Sequence, residues 1–229
     1  MWTAWAIAFA VPLAILAGPQ GPPRARVSLA EDRGTLQILQ QGRLVGSESF
    51  QIAASSSGWI ARGETELQLE GTPGKVRSEL RLHPDGSPER YEWTVEGQNR
   101  SAATVRFSGT TAQVDLRVEG VAPFQQEFFF NAQPVLILDN NLYHQYAILA
   151  ALYDWKRGGE QSFSVLVPQS LTPGAITVEA FVPAENPSEK KLQGLRVRSA
   201  DLELEVYLDD GRRLIRLAVP SAGVEIVRK

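Results

Sequence analysis

The fold of this chain is decided by Leu202-Glu203-Leu204-Glu205-Val206-Tyr207-Leu208-Asp209-Asp210-Gly211-Arg212-Arg213-Leu214-Ile215-Arg216-Leu217-Ala218-Val219. Apolar and acidic residues alternate up to Val206, Leu208 keeps the apolar period, and Ile215, Leu217 and Val219 continue it after a turn. A period of two indicates a β-strand with one apolar and one polar face. We expect Gly211 to supply the positive φ of the turn. The two runs are therefore predicted to be adjacent antiparallel strands.

The same alternation extends over most of the chain. Residues 76–82 and 113–118 alternate apolar with polar or charged side chains, and turn residues interrupt at intervals of about ten positions. We expect about a dozen strands, the later ones around residues 126–130, 161–167, 175–182, 193–199 and 202–228. A sheet of that size with one apolar face must curve to bury it. The predicted fold is mostly β: a large curved antiparallel sheet, half-barrel or barrel-like.

One segment breaks the period of two. Between residues 140 and 157, apolar side chains recur at helical spacing at Leu142, Tyr146, Leu149 and Tyr153. Asp139 or Asn140 can accept hydrogen bonds from the first helical amides, and Gly158-Gly159 favours the helix end. The apolar stripe is wide. The sequence thus predicts one buried α-helix at about 140–157, packed against the curved sheet.

Composition excludes several classes of function. The 229 residues are 43% hydrophobic, which suits a single β domain over residues 31–229. A formal charge of -3 without a long basic run excludes the electrostatic pattern of a nucleic-acid-binding protein. The chain has no cysteine, so disulfides, thiolate zinc sites, cysteine nucleophiles and lipid-modified cysteines are excluded as well.

The N-terminal segment predicts export. Residues 1–17 form an uncharged apolar run shorter than the roughly 20 residues that a spanning helix needs, and a Pro/Gly-rich tether follows. We interpret residues 1–30 as a signal peptide and expect a periplasmic or secreted protein. The alternative is an uncleaved N-terminal anchor, which would be the chain's single contact with the membrane.

Candidates for catalysis are few. The two histidines are His83, in a turn, and His144, near the start of the predicted helix, and no motif for a nucleophile elbow, a phosphate loop or a metal pair occurs. We therefore predict no metal and no cofactor, and the inventory favours a protein that is not an enzyme. A structural hydrogen bond explains His144; a general base paired with Asp139 or Glu48 is the alternative.

Glu48 occupies an unusual position for a carboxylate. In the run Leu44-Val45-Gly46-Ser47-Glu48-Ser49-Phe50-Gln51-Ile52 it shares a strand face with Leu44, Phe50 and Ile52, which aims it at the core. An unpaired buried carboxylate costs several kcal/mol, on the order of ~3 or more. Glu48 is therefore expected to have a buried partner, to face a wet cavity, or to be turned outward by a bulge at Gly46.

Aromatic side chains fall mostly on inward positions. They form either a filled core or the lining of a cavity for a lipid, an acyl chain or a hydrophobic peptide. Inward positions also carry small residues, Ala61, Gly63, Thr65 and Ala103, which can leave a gap. The candidate ligand-binding residues are Glu48, Trp59, Tyr91, Trp93, Tyr143, His144, Tyr146 and Trp155.

A family resemblance agrees with this interpretation. The long meander, the strand Gly46-Ser47-Glu48-Ser49-Phe50, the aromatic helix and the returning strands resemble uncharacterised bacterial periplasmic half-barrel domains such as domain-of-unknown-function 3108. The layout is more distantly similar to lipoprotein-carrier proteins, whose curved sheet holds acyl chains under helices. Residues 138–146 and 163–169 also resemble a β domain that precedes some exported hydrolases.

Three functions follow as hypotheses. The first is an exported envelope protein that binds an apolar ligand, such as a lipid or acyl chain, inside the curved sheet. The second is a structural or interaction module that contacts envelope proteins without a ligand. The third is a hydrolase-like enzyme that uses His144 with Asp139 or Glu48.

Overall fold

A computed structural model describes Val27 and residues 29–69, 72–97, 100–132, 134–183, 192–200 and 202–229. The predicted signal peptide and its tether lie almost entirely outside the described residues. The strands are β1 Asp32–Gln40, β2 Arg43–Ser55, β3 Gly58–Leu69, β4 Thr72–Leu82, β5 Pro88–Glu96, β6 Ser101–Ser108, β7 Thr111–Val118, β8 Phe124–Phe129, β9 Val135–Ile137, β10 Gln161–Val167, β11 Thr172–Phe181, β12 Gln193–Arg198, β13 Glu203–Leu208, β14 Leu214–Val219 and β15 Val224–Arg228. The helix α1 is Gln145–Leu152.

All described strands join one sheet, in the order β8-β7-β6-β5-β4-β3-β2-β1-β15-β14-β13-β12-β11-β10-β9. Neighbouring strands are antiparallel, apart from the short parallel pair of β9 with β10. The first and last strands pair at the centre of the sheet, so β1–β8 and β9–β15 form its two halves. The sheet is curved and does not close. The predicted fold class is thus confirmed, with fifteen strands where the sequence indicated about a dozen.

The residues that alternate in the sequence lie on opposite faces of this sheet, the apolar ones on the inner face and the polar ones on the outer face. Inward positions carry the buried core, which includes Leu36, Ile52, Leu80, Tyr91, Val105, Val114, Val178, Leu195, Val206 and Ile226. Outward positions carry ion pairs across neighbouring strands, such as Arg62 with Glu79. Exposed pairs of this kind are each worth about 0–1 kcal/mol, so the buried apolar face supplies most of the stability.

Two β-bulges change the expected face of a side chain. The pairing of β1 with β2 skips Val45, and as a result Leu44 is 62% exposed although the alternation predicted it inside. The pairing of β13 with β14 skips Ile215, which moves the buried position to Leu214. An extra residue in one strand shifts the alternation by one position, and this is the reason for both corrections.

The turn between β13 and β14 also differs from the expectation. Arg212 has the positive φ, 60°, and Gly211 is not among the residues in that region of backbone space. The Asp209 carboxylate accepts the amide of Arg213 at 2.9 Å and so holds the turn from its side chain. An aspartate that bonds the backbone ahead of it can define a turn without a glycine at the strained position.

The helix is shorter than predicted, at eight residues instead of about eighteen. It cannot extend backwards because Asn141 lies in the left-handed region at φ 62°. It ends where Tyr153 becomes extended; the Tyr153 hydroxyl donates to the carbonyl of Gly159 at 2.7 Å and accepts the amide of Ala180 at 3.2 Å. The prediction that α1 is buried holds for Ile148 and its neighbours.

The segment that carries α1 lies between the halves of the sheet. It bonds to β2 and β5 of the first half, and Tyr153 bonds to β11 of the second. None of the described helices is long and apolar enough to cross a membrane. This central segment therefore determines what space remains inside the sheet.

Candidate functional site

A buried carboxylate–imidazole pair fixes the start of α1. Glu48 and His144 are both fully buried, and Glu48 Oε1 lies 2.5 Å from His144 Nδ1. The other oxygen, Oε2, accepts the backbone amides of Tyr143 at 2.8 Å and His144 at 3.2 Å. These amides precede the first helical turn, where the helix dipole favours a negative charge. Glu48 thus fixes the two residues before α1, whereas the sequence had assigned Asp139 or Asn140 to cap the helix; no side-chain hydrogen bond caps the described helix.

The imidazole of His144 fills a gap left by a glycine. A Cβ at Gly63 would lie 2.5 Å from His144 Cε1 and 2.6 Å from Nδ1. The ring also stacks on Phe50, with 6.0 Å between ring centroids and 12° between ring planes. His144 Nε2 has no hydrogen-bond partner among the described residues. Since the ring is fully buried, a substrate in solvent has no access to this nitrogen.

A second buried polar group lies on the other side of the helix start. Asp139 Oδ2 accepts the Tyr91 hydroxyl at 2.8 Å, and Oδ1 accepts the amides of Asn140 at 3.1 Å and Gln169 at 2.9 Å. Gln145 accepts the Asp139 amide at 2.6 Å. Asp139 therefore bonds to β5 and to the segment after β10. Of the two carboxylates that the sequence offered to His144, the structure pairs it with Glu48 and not with Asp139.

Burial is the largest influence on the pKa of Asp139. Desolvation raises the pKa of Asp139 to about 6, although the bonds from Gln169, Tyr91 and Asn140 act in the opposite direction. Burial, together with the negative charge of Asp139, raises the pKa of Tyr91 well above its ordinary value. The ionised Asp139 is thus a destabilised form in the folded protein.

A pH dependence of stability follows from Asp139. Its folded pKa of about 6 exceeds the unfolded value of about 3.9, so its contribution is fully present below pH ~4 and is lost as the pH rises through ~6. We expect Asp139→Asn to gain stability relative to wild type across this window, by up to about 3 kcal/mol. Asparagine can still accept both amides through Oδ1. Urea unfolding of both proteins from pH 4 to 8 measures the difference.

The matched control is Asp210→Asn, which removes a carboxylate from an exposed position and changes the net charge equally. Its difference from wild type should stay within about 0.5 kcal/mol over the same range, as for ordinary surface substitutions. Parallel stability curves for wild type and Asp139→Asn would contradict the assignment.

A cleft of about 400 Å³ opens beside this cluster. It lies between the segment that leads into α1 and the inner face of β10–β15. The sheet side is apolar and consists of inward residues from all six strands: Val165, Val167, Ile176, Val197, Leu204, Leu217, Val219 and Val224. The helix side includes Leu138, Asp139, Asn141, Tyr143 and Tyr146, and the exposed mouth consists of Asn140, Ser199, Leu202 and Ala222.

The cleft has the size and lining of a small-molecule site. Such sites span about 300–1,000 Å³ and combine a mainly apolar wall with a few polar groups. The Tyr143 hydroxyl donates to Asn141 Oδ1 at 3.4 Å, and burial raises the pKa of Tyr143 to about 12. Burial likewise raises the pKa of Tyr146, whose hydroxyl has no hydrogen-bond partner among the described residues. Both phenols are neutral groups at the polar side of the cleft.

Two larger hollows lie on the outer face of the first half of the sheet. One of about 770 Å³ covers β5–β8, and one of about 880 Å³ lies at the ends of β4–β7. Their linings are dominated by side chains at outward positions, such as Glu92, Arg106 and Arg117. These charged, shallow surfaces do not offer the apolar wall that the cleft has.

The structure divides the eight predicted ligand-binding residues among several places. Tyr143 and Tyr146 line the cleft. Glu48 and His144 lie behind it as the buried pair, and Tyr91 bonds to Asp139. Three tryptophans lie elsewhere: Trp59 packs half-buried against the core, Trp93 is buried under the 770 Å³ hollow, and Trp155 stacks edge-on against Tyr153.

Two polar residues of the candidate site were not among the predicted site residues. Gln145 is fully buried and bonds to both Asp139 and Tyr91, and Thr65 donates to the carbonyl of Asn141 at 2.5 Å. The sequence pattern could have identified Thr65, because it is a polar residue at an inward position of a strand. For Gln145 the available signal was a polar residue within an apolar helical segment.

Among the described residues, no group of three histidine, aspartate or glutamate side chains is arranged to hold a metal ion. Ionisable groups of the candidate site are instead bonded to backbone amides, to a phenol and to each other. The polar clusters therefore organise the helix start, and the cleft beside them is the candidate binding site.

Comparison with known proteins adds little. No family model matches the chain, and no curated protein matches it. A crystal structure of a DUF1089 family protein from Pseudomonas aeruginosa, at 1.80 Å resolution, is similar over 76% of this chain and 90% of that chain, with 10% sequence identity and a TM-score of 0.47. A likeness this weak carries no inference about function. These comparisons do not support the resemblance to domain-of-unknown-function 3108; they agree with it only in that the similar structure also belongs to a family with a DUF label.

Proposed function

We propose that this chain is an exported envelope protein that binds an apolar ligand, such as a lipid or an acyl chain, in the cleft between the α1 segment and β10–β15. The observation that carries the proposal is the cleft itself, with about 400 Å³ of space against an apolar wall. Tyr143 and Tyr146 line it, and both were candidate ligand-binding residues on sequence grounds.

The energetics favour an apolar occupant. Each methylene transferred from water into such a cleft contributes about 0.8 kcal/mol, so a chain of several carbons can offset the cost of association. The wall is formed by side chains held in a continuous sheet, which reduces the reorganisation that binding requires. Access is available because Leu202 at the mouth is 41% exposed.

The test uses Nile red, an uncharged hydrophobic dye, with Ala222→Trp. Ala222 is exposed at the mouth, so a tryptophan there covers the cleft without removing a buried side chain. We expect one dye to bind per chain and Ala222→Trp to weaken its affinity by at least about 10-fold, or ~1.4 kcal/mol. Fluorescence titration measures both affinities.

The matched control is Ala54→Trp, which makes the same change at an exposed position of β2 outside the cleft. Its affinity for the dye should equal that of wild type. Equal weakening by both variants, or dye binding that neither affects, would remove the cleft as the site. Mass spectrometry of the native protein then tests for a co-purified lipid.

One observation favours the second candidate, an interaction module of the envelope. On β8, an edge strand of the sheet, Phe129 is 74% exposed and Phe124 is 45% exposed. Edge strands with exposed aromatic residues can pair with a strand of another protein. Absence of dye binding, together with pull-down of an envelope protein by wild type but not by Phe129→Lys, would favour this candidate.

A further inference from the structure

The charges around the cleft carry information about the polar end of its ligand. The lining contains one ionisable carboxyl, that of Asp139, and, among the described residues, no lysine, arginine or histidine. Its other polar side chains are the neutral groups of Asn140, Asn141, Tyr143, Tyr146 and Ser199. An anionic head group would therefore meet a carboxylate and no compensating cation.

We propose, on the basis of the proposed function, that the cleft selects an uncharged amphiphile, an apolar chain that ends in hydroxyl or ester groups, over the anion of a fatty acid. Three bonds, to Tyr91, Asn140 and Gln169, fix the carboxylate of Asp139 beside the cleft, so it cannot reorient to relieve repulsion. In a partly buried site the repulsion between two carboxylates is weakly screened by salt.

The neutral polar side chains of the cleft can form the hydrogen bonds that an uncharged head group needs. The hydroxyl of Tyr146 has no hydrogen-bond partner among the described residues and can bond to a ligand hydroxyl or ester oxygen. The amide of Asn140 is exposed at the mouth, where it can donate and accept. A glycerol ester or an alcohol satisfies these groups without bringing a charge to Asp139.

The volume of the cleft limits the length of the ligand's apolar chain. At the density of protein interiors, about 0.74, a space of 400 Å³ holds a chain of roughly a dozen carbons. Dodecyl compounds are thus suitable probes that differ only in the head group: monododecanoylglycerol, dodecanol and dodecanoate.

The experiment measures the affinity of the full chain for these three probes at pH 8, by competition with Nile red below their aggregation concentrations. We expect monododecanoylglycerol and dodecanol to bind, and dodecanoate to bind at least about 10-fold more weakly, as expected for two like charges at short range. Asp139→Asn should raise the ratio of the affinity for dodecanoate to the affinity for dodecanol by a similar factor. Asp210→Asn, with the same change in net charge, should leave this ratio unchanged.

The outcomes separate the two proposals. If none of the probes binds, the proposed function fails. If dodecanoate binds as tightly as the glycerol ester, the ligand still occupies an apolar cleft, but selection against the anion is overturned. An unchanged ratio of the two affinities in Asp139→Asn also overturns it, because that carboxylate is the charge on which the selection rests.

Discussion

Replacement of Glu48 with alanine is expected to reduce the free energy of unfolding by about 3–5 kcal/mol, because each buried polar group that loses its hydrogen-bond partner costs about 1–3 kcal/mol. The change leaves three buried groups without their partner: the amides of Tyr143 and His144 and the imidazole Nδ1. Urea denaturation followed by tryptophan fluorescence measures the loss.

The conservative variant Glu48→Gln keeps the size of the side chain and replaces one acceptor oxygen with an NH₂ donor. Glutamine can still accept the two amides, but its NH₂ group can bond to Nδ1 only when the imidazole proton moves to Nε2, which has no partner among the described residues. A buried donor without a partner costs about 1–3 kcal/mol. We therefore expect Glu48→Gln to be less stable than wild type and more stable than Glu48→Ala.

The control is Glu66→Ala on the neighbouring strand. Glu66 is 64% exposed in its ion pair with Lys75, so its removal should cost at most about 1 kcal/mol. Losses of equal size for Glu48→Ala and Glu66→Ala would show that the buried pair does not stabilise the fold, and the account of the helix start would be wrong.

The sequence could predict the curved sheet because a period of two is a local property. Each strand shows its apolar face through its own residues, and a long meander with one apolar face has few ways to bury it. The same reasoning identified Glu48 as a carboxylate on the inner face, with a buried partner, a wet cavity or an outward turn at a Gly46 bulge as the alternatives. The structure confirms both the inward position and the partner, His144, which lies 96 positions further along the chain.

The predicted inward positions were wrong where a β-bulge adds one residue to a strand and so shifts the alternation of inward and outward side chains. The bulge at Val45 exposes Leu44, and the bulge at Ile215 buries Leu214 instead. The position of a bulge depends on the strand opposite, and that information is absent from the strand's own sequence. The ends of α1 were also misplaced, because the backbone is left-handed at Asn141 and extended at Tyr153, within the span of the apolar stripe.

The cleft could not be predicted at all from local patterns. Its sheet wall consists of residues such as Leu204 and Leu217 that look like ordinary core positions in the sequence. Whether they are covered depends on how the α1 segment lies over the second half of the sheet. The bonds of Glu48 and Asp139 hold the start of this segment to the first half, which leaves space over β10–β15.

Gly63 is the position that tests this arrangement most directly. We expect Gly63→Ala to destabilise the protein by about 3–5 kcal/mol, as severe overpacking does. Its φ is not positive, so the backbone accepts alanine, and in a strand that change alone would be favourable by about 0.5–1 kcal/mol. The cost arises because the new Cβ would lie 2.5 Å from His144 and 2.8 Å from Glu48 Oε1.

A second substitution shows whether His144 is the cause. In Gly63→Ala with His144→Ala the ring is gone, so the double variant should be more stable than the sum of the two single losses predicts, by about 1–3 kcal/mol of coupling. Gly74→Ala is the control, because a Cβ at Gly74 would have no neighbouring atom within 4 Å and its φ is not positive. Urea denaturation of all four variants and wild type measures these differences. Strictly additive losses would mean that the imidazole does not fill the space at Gly63, and the fixed position of the α1 segment over the sheet would lose its explanation.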